Sequence, residues 1–416
     1  MSTQDKPADP APPVASAQAS PEGRAAFEHA LATDLAELDA DHLRRRLRTV
    51  DSPCGPTIVL DGRPMLLMAS NDYLGLADHP LVKAAAIEAV ERYGVGAGAA
   101  RLISGTQSPH AELETTLAQF KDTEAALCFG SGYLANLGLL SALAGSDDLI
   151  FADRLCHASL IDGCRLSRAK LRVYRHNDCE HLEQLLRTRS TARRTLIVTD
   201  GVFSMDGDLA PLADLADLAE RYEALLVVDD AHGTGILGHS GRGSLEACGV
   251  EHRLPFHMGT LGKALGTSGA YVAGSRTVID TLMNRARSFL FTTAPPATVA
   301  AATIAAIRIV QTDPERHARL WRNQAQLVAG LRQRGLQLTQ TASPIVPILL
   351  GEADQALAFA RHLERLGIYA PAIRPPTVPR GGSRVRLTVT AAHTTEQIDQ
   401  VLSACEQAAR EIRLPQ

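Results

Sequence analysis

The sequence predicts an α/β fold with a mainly parallel sheet of seven strands flanked by helices, followed by a smaller C-terminal α+β domain. Between residues 110 and 230, helical patterns alternate with short apolar segments typical of buried strands. Two more strand-like segments follow, at Phe256–Gly259 and Gly269–Ala273. In sheets of this kind, ligands bind beyond the carboxyl ends of the strands. Polar residues directly after these strands are therefore the first candidates for a functional site.

The order of the elements supports this prediction. The alternating region has predicted strands at 124–129, 148–152, 171–175, 195–199 and 224–229, and predicted helices at 109–121, 132–144, 157–167, 180–189 and 211–222. Upstream, a hairpin is expected at Thr57–Leu60 and Met65–Met68, with a helix from Pro80 to Gly94. Downstream, helices are expected near 275–287, 297–312, 315–334, 353–366 and 395–409, and strands near 346–350, 368–373 and 384–389.

The composition divides the chain into four expected segments. Residues 1–22 are rich in Pro and Ala and predict a disordered tail. Residues 23–75 hold an N-terminal helix and the hairpin, 76–306 the large ligand-binding domain, and 307–416 the small domain. The helical pattern from Arg24 to Arg48 ends in a cluster of arginines, which suits a C-terminal helical turn.

The charge and cysteine content narrow the class of protein. The 42 basic and 46 acidic residues give a net charge of -4, which does not indicate nucleic-acid binding. No apolar run reaches the roughly 18 to 20 residues of a membrane span, and the N-terminus lacks the apolar core of a secretory signal. The seven cysteines show neither CxxC pairs nor zinc spacing. We therefore expect reduced thiols, no metal site and a cytoplasmic location.

Lys263 lies in the glycine-containing run Thr260–Gly266, between two strand-like segments. A lysine on a tight turn inside a fold is costly to bury unless its charge has a purpose. A phosphate loop of the GxxxxGK[ST] type is excluded, because His257 and Ala264 stand where that motif needs glycine and a hydroxyl residue. Taken alone, the segment is also compatible with a solvated lysine on a surface turn.

Asp229 gives Lys263 a chemical context. It ends the apolar strand 224–229 and precedes the lysine by 34 residues (263 minus 229). Pyridoxal phosphate needs a lysine for covalent attachment and an acid that keeps its ring nitrogen protonated. The pair therefore indicates a pyridoxal phosphate site, although an aspartate after a strand is by itself also typical of a turn or a helix start.

Other polar residues also follow predicted strands. Ser131, Gly132 and Tyr133 begin a helix, so their N–H groups could bind a phosphate, and a plain capping serine is the alternative. His157 could stack on a cofactor ring or be a structural histidine. Ser204 lies on a loop, where turn formation is its alternative role. The run Gly94–Ala100 follows a helix, not a strand, which excludes a dinucleotide fingerprint.

Two arginines in the C-terminal region could bind the carboxylate of an amino acid. Arg374 lies in the run Ile373–Pro379, and Arg386 lies on a predicted strand. Guanidinium groups bind carboxylates through two parallel hydrogen bonds. The strand would hold Arg386 more rigidly, but an exposed arginine on a strand usually has no catalytic role.

Together these segments resemble the α-oxoamine synthases, pyridoxal phosphate enzymes of the aspartate aminotransferase fold type, called fold type I. The resemblance covers about residues 24 to 410. It rests on five runs that match in order: Ser70–Leu76, Gly201–Asp208, Asp229–Gly235, Thr260–Lys263 and Ile373–Pro379. The runs Asp229–Gly235 and Ile373–Pro379 favour the branch that uses alanine over the branches that use glycine or serine.

The resemblance implies a role for each matching residue. Lys263, Asp229 and His157 would be catalytic: the lysine binds the cofactor covalently, the aspartate pairs with the ring nitrogen, and the histidine stacks on the ring. His232 would contact the ring hydroxyl. Further cofactor contacts are implied for Ser131, Gly132, Tyr133, Ser204, Thr260, Thr292 and Thr293, the last two reaching the phosphate of a neighbouring subunit. Substrate contacts are implied for Arg44, Asn71, Thr377 and Arg386, with Arg374 as a second arginine for the carboxylate.

The resemblance also implies an activity and partners. The expected reaction is a decarboxylative condensation of L-alanine with a pimeloyl thioester, carried by coenzyme A or acyl carrier protein, in a homodimer. A glycine C-acyltransferase of the same family is the alternative, and a cofactor-binding protein without catalysis is disfavoured because binding alone needs no arginine for a carboxylate. One departure is the segment Ala97–Arg101, where relatives often carry serine. Any hydrogen bond from Ala97 or Ala100 is lost.

Overall fold

The computed structural model describes residues 21–412. Most of the predicted disordered tail, up to residue 20, lies outside the described residues. Within them the chain forms two compact units, one ending at Leu47 and the other beginning at Arg48. The first unit contains helix α1 (Pro21–Ala40), and the second contains every other helix and strand of residues 21–412.

The elements of the second unit follow the predicted order. The strands are β1 (Thr57–Leu60), β2 (Arg63–Leu67), β3 (Ala125–Phe129), β4 (Leu149–Asp153), β5 (Lys170–Tyr174), β6 (Thr195–Asp200), β7 (Ala224–Asp229), β8 (Phe256–Thr260), β9 (Ala270–Gly274), β10 (Ile345–Gly351), β11 (Ile368–Tyr369), β12 (Ala372–Ile373) and β13 (Ser383–Thr388). The helices are α2 (Pro80–Tyr93), α3 (Ser108–Phe120), α4 (Gly132–Leu143), α5 (Ala158–Leu166), α6 (Cys179–Arg187), α7 (Leu212–Arg221), α8 (Ser244–Ala247), α9 (Arg276–Arg285), α10 (Arg287–Leu290), α11 (Ala297–Thr312), α12 (Pro314–Gln333), α13 (Ala353–Arg365) and α14 (Thr395–Glu411). A π-helical turn covers Arg101–Gly105 and a 3-10 turn covers Glu251–Arg253.

The predicted sheet of seven strands is confirmed. Its order is β3-β9-β8-β7-β6-β4-β5, and only β9 runs antiparallel to its neighbours. The pairs between β8 and β5 are all parallel. Consecutive side chains of a strand point to opposite faces. Accordingly, Ile150 and Ala152 of β4 pack in one core with α4 and α5, whereas Leu149 and Phe151 pack in another with α6 and α7.

Two small sheets adjoin this domain. The hairpin β1–β2 is joined by β11, which runs parallel to β2. The other sheet has the order β10-β13-β12 and is antiparallel. Its inner residues share a core with α12, α13 and α14, which makes a C-terminal α+β unit. No helix within residues 21–412 is long and apolar enough to cross a bilayer.

Two predicted elements were wrong in their extent. The helix expected to run to Arg48 ends at Ala40, because His42 adopts a left-handed conformation (φ 57°) and Leu43 N and Arg44 N both donate to Leu38 O. The arginines from position 44 onward are therefore not helical.

The strand expected at 368–373 is two short strands, β11 and β12, in different sheets. Pro371 lies between them and has no N–H to continue a ladder.

We expect Phe151→Ala to lower the free energy of unfolding by about 3 to 5 kcal/mol, because the buried ring leaves a cavity between β4 and the helices α6 and α7. The exposed Val173 on edge strand β5 provides a control, and Val173→Ala should cost less than about 1 kcal/mol. Urea unfolding followed by circular dichroism measures both, and equal losses would contradict the packing described.

Candidate active site

Buried carboxylates end three neighbouring strands of the large sheet. Asp153 ends β4, Asp200 ends β6 and Asp229 ends β7. All three are buried, and Asp200 pairs directly with Asp229 in the ladder. Like charges at this separation in a protein interior are unfavourable. Each carboxylate therefore needs a cation, hydrogen-bond donors or a proton.

Lys263 lies on the turn between β8 and β9, as predicted. Gly266 N donates to Lys263 O (2.8 Å), and Gly266 has φ +65°. A Cβ at Gly266 would lie 2.4 Å from Ala77 N, so only glycine fits there. The turn directs Lys263 toward the strand ends, where its side chain is partly buried. This differs from the solvated surface lysine that was the alternative.

Burial and three charged residues shift the pKa of Lys263. Burial lowers the pKa of this lysine, while the carboxylates of Asp229 and Asp200 oppose the shift and Arg386 adds to it. Within residues 21–412, the Nζ atom of Lys263 takes part in no hydrogen bond and no ion pair. The amine therefore lies close enough to Asp229 to interact electrostatically while remaining available to a ligand.

Asp229 is held by donors from two elements. Asn136 on α4 donates through Nδ2 to Asp229 Oδ2 (2.7 Å), and Ala231 N donates to Oδ1 (2.9 Å). Asn136 Nδ2 also donates to Ser159 Oγ (2.9 Å), which links α4 to α5. The adjacent Asp200 has a pKa well above its ordinary value, because it is buried and faces the negative charge of Asp229. Burial and this repulsion both favour the protonated form of Asp200.

His157 directly precedes α5 and lies beside these carboxylates. Its backbone N–H donates to Asp200 Oδ2 (2.9 Å), and its Nδ1 lies 2.7 Å from Ser159 Oγ. These contacts orient the imidazole, which stays exposed although its partners Ser159 and Asp200 are buried. Partial desolvation lowers the pKa of His157 against the opposing charge of Asp229, and the charge of Lys263 lowers it further.

His232 follows β7 and contacts a buried tyrosine that the sequence argument did not single out. Its Nδ1 lies 2.7 Å from the hydroxyl of Tyr73, which is 3.3 Å from Asn71 Oδ1. Burial lowers the pKa of His232 well below 6.5, and the charges of Lys263 and Arg386 lower it further. The contact from Tyr73 to Nδ1 is the shorter of the two, which favours donation from the tyrosine hydroxyl to Nδ1. The proton of the neutral imidazole then lies on Nε2, which can donate to another group.

Arg386 on β13 meets this network from the C-terminal unit. Its Nε donates to Ser204 O (2.6 Å), and one terminal nitrogen donates to Asn71 Oδ1 (3.2 Å) and Tyr73 Oη (3.5 Å). All of these acceptors are neutral, so the positive charge of Arg386 has no carboxylate in contact among residues 21–412. Arg386 as a whole is 8% exposed, which makes an anionic ligand the natural partner for its charge.

Arg384, two residues earlier on β13, binds the same loop. It donates through Nη1 to Met205 O (3.0 Å) and to Asp206 Oδ1 (2.5 Å). The two arginines therefore attach β13 to consecutive residues of the loop that carries Ser204.

The start of α4 forms a second part of the site. Ser131 caps the helix by accepting from Leu134 N (3.2 Å), as in the capping alternative. An ideal Cβ at Gly132 would be 4.0 Å from Thr260 Oγ1, so this helix start lies beside the end of β8. Tyr133 is 42% exposed and donates through its hydroxyl to Asp162. N–H groups in the first turn of a helix suit an anion such as a phosphate.

The remaining predicted site residues lie elsewhere. Thr293 pairs with Ala100 in an isolated bridge, beside Thr292 on an exposed segment. Arg374 and Thr377 share a turn after β12, closed by a hydrogen bond from Thr377 N to Arg374 O (3.1 Å). Arg44 belongs to the first unit, where it pairs with Asp39 (2.6 Å). The roles of these residues stay predictions.

His176, which the sequence analysis did not select, bridges two carboxylates close to the site. His176 follows β5 and places its Nδ1 3.0 Å from Asp153 Oδ1 and its Nε2 2.9 Å from Asp208 Oδ2. Burial alone would lower its pKa, but the hydrogen bonds and charges of both carboxylates outweigh this and raise the pKa of His176 to about 10. No group of three or more His, Cys, Asp or Glu side chains in the described part of the chain could hold a metal ion.

The raised pKa of His176 predicts a pH dependence of stability. The folded state binds this proton more tightly than the unfolded chain, whose histidine has a pKa near 6.5. The stabilisation is complete below about pH 6.5 and is lost as pH rises through about 10. The difference in melting temperature between wild type and His176→Gln should therefore narrow from pH 7 to pH 10.5. A difference that stays constant over that range would contradict the charged state of His176.

The sheet topology and this lysine–aspartate pair define a member of an enzyme family. The chain belongs to the class I and II aminotransferase family, whose model matches residues 63–404. Among its curated relatives is an 8-amino-7-oxononanoate synthase from Geotalea daltonii, 53% identical over 382 residues, or 91% of this chain and 97% of that protein. Another of the same name, from Anaeromyxobacter dehalogenans, is 51% identical over 90% of this chain and 94% of its own length.

Solved structures agree with this assignment. A serine palmitoyltransferase from Sphingomonas wittichii has a TM-score of 0.89 and 34% identity, covering 94% of this chain and 99% of its own. A structure of SPT with PLP has a TM-score of 0.88 and 33% identity over the same shares. An 8-amino-7-oxononanoate synthase from Francisella tularensis has a TM-score of 0.73 and 29% identity, covering 84% of this chain and 99% of its own.

The residues present fit pyridoxal phosphate. The cofactor needs an amine, an acid for the ring nitrogen, a flat contact for the ring and donors for the phosphate. The structure provides the available amine of Lys263, the carboxyl group of Asp229, the exposed imidazole of His157 and the first turn of α4 beside Thr260. Asn136, Asp200 and Tyr73 complete the site. Of these, Asp200 could have been found from the sequence, because it also ends a strand.

Proposed function

We propose that this protein is a pyridoxal phosphate-dependent acyltransferase that condenses L-alanine with a pimeloyl thioester. The products are 8-amino-7-oxononanoate, carbon dioxide and the free carrier, in biotin biosynthesis. The observation that supports this most directly is the joint placement of Lys263, Asp229 and the uncompensated Arg386 in a chain 53% identical to an 8-amino-7-oxononanoate synthase over 91% of its length. The cofactor is pyridoxal 5'-phosphate, as in the related SPT structure.

The cofactor stabilises negative charge at the amino acid's Cα when it is bound. Lys263 would hold it covalently and, once released, accept the proton from Cα through Nζ, since its lowered pKa favours the neutral amine. Asp229 would bind the protonated ring nitrogen, with Asn136 and Ala231 fixing the carboxylate. His232 would donate its Nε2–H to the ring hydroxyl, and His157 would cover the ring.

The phosphate would lie at the first turn of α4. We propose phosphate contacts from Ser131, Gly132 and Tyr133, beside which Thr260 lies, and a further cofactor contact from Ser204. The exposed imidazole of His157 lies at the same edge of the sheet, because α4 and α5 both begin beyond the carboxyl ends of their strands.

Arg386 would bind the carboxylate of alanine, with Asn71 holding the guanidinium in place. Because Ser204 and Asn71 already orient two of its nitrogens, little rotational freedom remains to be lost on binding. Thr377 and Arg374 are proposed as further substrate contacts on the turn after β12.

We also propose a homodimer. Val95, Ile103 and Phe291 are 72% to 81% exposed, which is unusual for large apolar side chains on a monomer. They flank the segments that pair Ala100 with Thr293. An interface there would cover them and would bring Thr292 and Thr293 to the phosphate of the partner subunit.

The acyl carrier is coenzyme A or acyl carrier protein, and the arginines at 44–48 are less free for its phosphates than their sequence suggests. Arg48 pairs with Asp61 (2.6 Å) and Glu364 (2.9 Å), and Arg44 pairs with Asp39. A phosphate would have to displace these carboxylates.

The seven cysteines have free thiols, which supports a cytoplasmic location.

Lys263→Ala should abolish formation of 8-amino-7-oxononanoate, because it removes both the covalent anchor and the base. The protein should also lose the visible absorption of lysine-bound cofactor. The exposed Lys170 gives a matched control, and Lys170→Ala should retain both properties. Mass spectrometry of the product and an absorption spectrum test this, and turnover by Lys263→Ala at the wild-type rate would contradict the assignment.

The amino acid is identified by adding L-alanine, glycine and L-serine in turn to the cofactor-loaded protein. Alanine should change the cofactor spectrum at the lowest concentration and should alone support rapid product formation with pimeloyl thioester. A stronger response to glycine would identify the glycine C-acyltransferase instead.

Arg386→Lys should raise the KM for L-alanine roughly 30- to 150-fold, as expected for the loss of a bidentate charged contact of about 2 to 3 kcal/mol. The KM for the thioester should stay within about twofold, since this contact is to the amino acid. Arg365→Lys, at an exposed position of α13, is the control. Steady-state kinetics with each substrate varied in turn measure both KM values. Equal changes in the two KM values would contradict the assignment of Arg386 to the amino acid.

A further inference from the structure

His176 lies outside the cofactor site, yet it joins two loops that build it. It follows β5, the edge strand of the large sheet, and its ring lies between Asp153 at the end of β4 and Asp208 in the loop after β6. Both carboxylate oxygens lie within 3.0 Å of a ring nitrogen. An imidazole can satisfy two such acceptors at once only when both of its nitrogens carry protons.

The contact with Asp153 reaches the loop of His157. Asp153 Oδ1 also accepts from Leu155 N (2.7 Å), and Asp153 O accepts from Cys156 N (3.2 Å). The other carboxylate oxygen accepts from Asn177 N (2.8 Å). The start of the loop from β4 to α5 is therefore fixed to the residues after β5.

The contact with Asp208 reaches the loop of Ser204. Asp208 Oδ2 also accepts from Asn177 Nδ2 (2.9 Å), and Asp208 O accepts from Phe203 N (3.0 Å). The ring of Phe203 meets the imidazole edge to face at 4.4 Å. Ser204 follows directly, and its carbonyl accepts from Arg386 at 2.6 Å. A continuous set of contacts thus runs from His176 to the guanidinium.

The surroundings of His176 favour its charged form. The two carboxylates that face it are Asp153, which is fully buried, and Asp208, which is 21% exposed. They raise its pKa against the opposing effect of burial, as described above. A neutral side chain at this position would leave Asp153 buried with one partner fewer, which is costly.

We propose that His176 is a positioning residue for the amino-acid site. As a cation between Asp153 and Asp208, it holds the loop of Ser204 against Arg386 and so sets the affinity of Arg386 for the substrate's carboxylate. This rests on the proposed function, in which Arg386 binds the amino acid. His176 itself touches neither the substrate nor the cofactor.

The test uses the full chain loaded with pyridoxal phosphate and titrated with L-alanine, followed by the cofactor's absorption. His176→Gln should raise the dissociation constant for alanine roughly tenfold, as for the loss of one charge-assisted hydrogen bond in the supporting contacts. Asp208→Asn should have an effect of the same size. The double variant should be no weaker than either single variant, because both changes break one interaction. His239→Gln, at an exposed histidine, should bind alanine as the wild type does.

Hydrogen exchange provides a second readout. Amides in residues 203–208 should exchange faster in His176→Gln and in Asp208→Asn than in the wild type or His239→Gln. If His176→Gln does not fold, Asp208→Asn alone decides by the same two measurements. Wild-type alanine affinity in a folded variant, or additive losses in the double variant, would overturn the proposal.

The two proposals fail in different ways. If the wild type responds to glycine or serine and not to alanine, the proposed reaction is wrong, and the same comparison of variants is made with the amino acid that binds. If none of the three binds, Arg386 has no such role, and this proposal is overturned with it. If alanine binds equally to all variants, the reaction stands and only the role of His176 is overturned.

Discussion

The arrangement of this site follows from the need to balance buried negative charge. The parallel strands β4, β6 and β7 end side by side, and each ends in an aspartate. Three ionised carboxylates so close together in the interior would repel one another strongly. The structure compensates each in its own way: Asp153 has His176, Asp200 has a raised pKa that favours its protonated form, and Asp229 has Asn136 and the nearby Lys263.

This division of charge gives each residue a different chemical character. The protonated form of Asp200 is favoured, whereas the carboxylate of Asp229 accepts hydrogen bonds from Asn136 and Ala231 and is the group that a protonated pyridine nitrogen needs. The same environment that lowers the pKa of Lys263 keeps His232 neutral, so its ring can donate one hydrogen bond without adding charge. The electrostatics of the site are therefore largely set before any ligand binds.

Much of this could be predicted from the sequence, for physical reasons that particular elements show. Apart from the edge strand β5, the strands of the large sheet are largely buried on both faces, so they are short apolar runs whose ends are visible as polar residues. The strand β7 was predicted with both ends correct. Lys263 and Asp229 were selected because chemistry needs those residue types after strands, and the structure places them together. The family resemblance then supplied the roles of His157, His232 and Arg386, whose proximity to Lys263 the structure shows.

Other features depend on contacts that a linear pattern does not contain. His176 follows a strand like other candidates, but its partners come from separate places, Asp153 from the end of β4 and Asp208 from the loop after β6, and only the folded sheet brings them together. Asn136 is a helical residue whose role depends on how α4 packs over β7. The end of α1 depends on the backbone conformation of His42, and the division of β11 from β12 depends on which sheet each segment joins.

The attachment of Arg384 and Arg386 to one loop has a consequence for altering this protein by exchanging segments. The proposed amino-acid pocket is assembled from three stretches far apart in the chain: the loop of Asn71 and Tyr73, the loop from Ser204 to Asp206, and strand β13. Each stretch supplies hydrogen-bond partners to another. Transplanting a single stretch from a homologue with a different amino-acid preference would leave donors and acceptors mismatched. A chimaera intended to change that preference should therefore take all three stretches from the same parent.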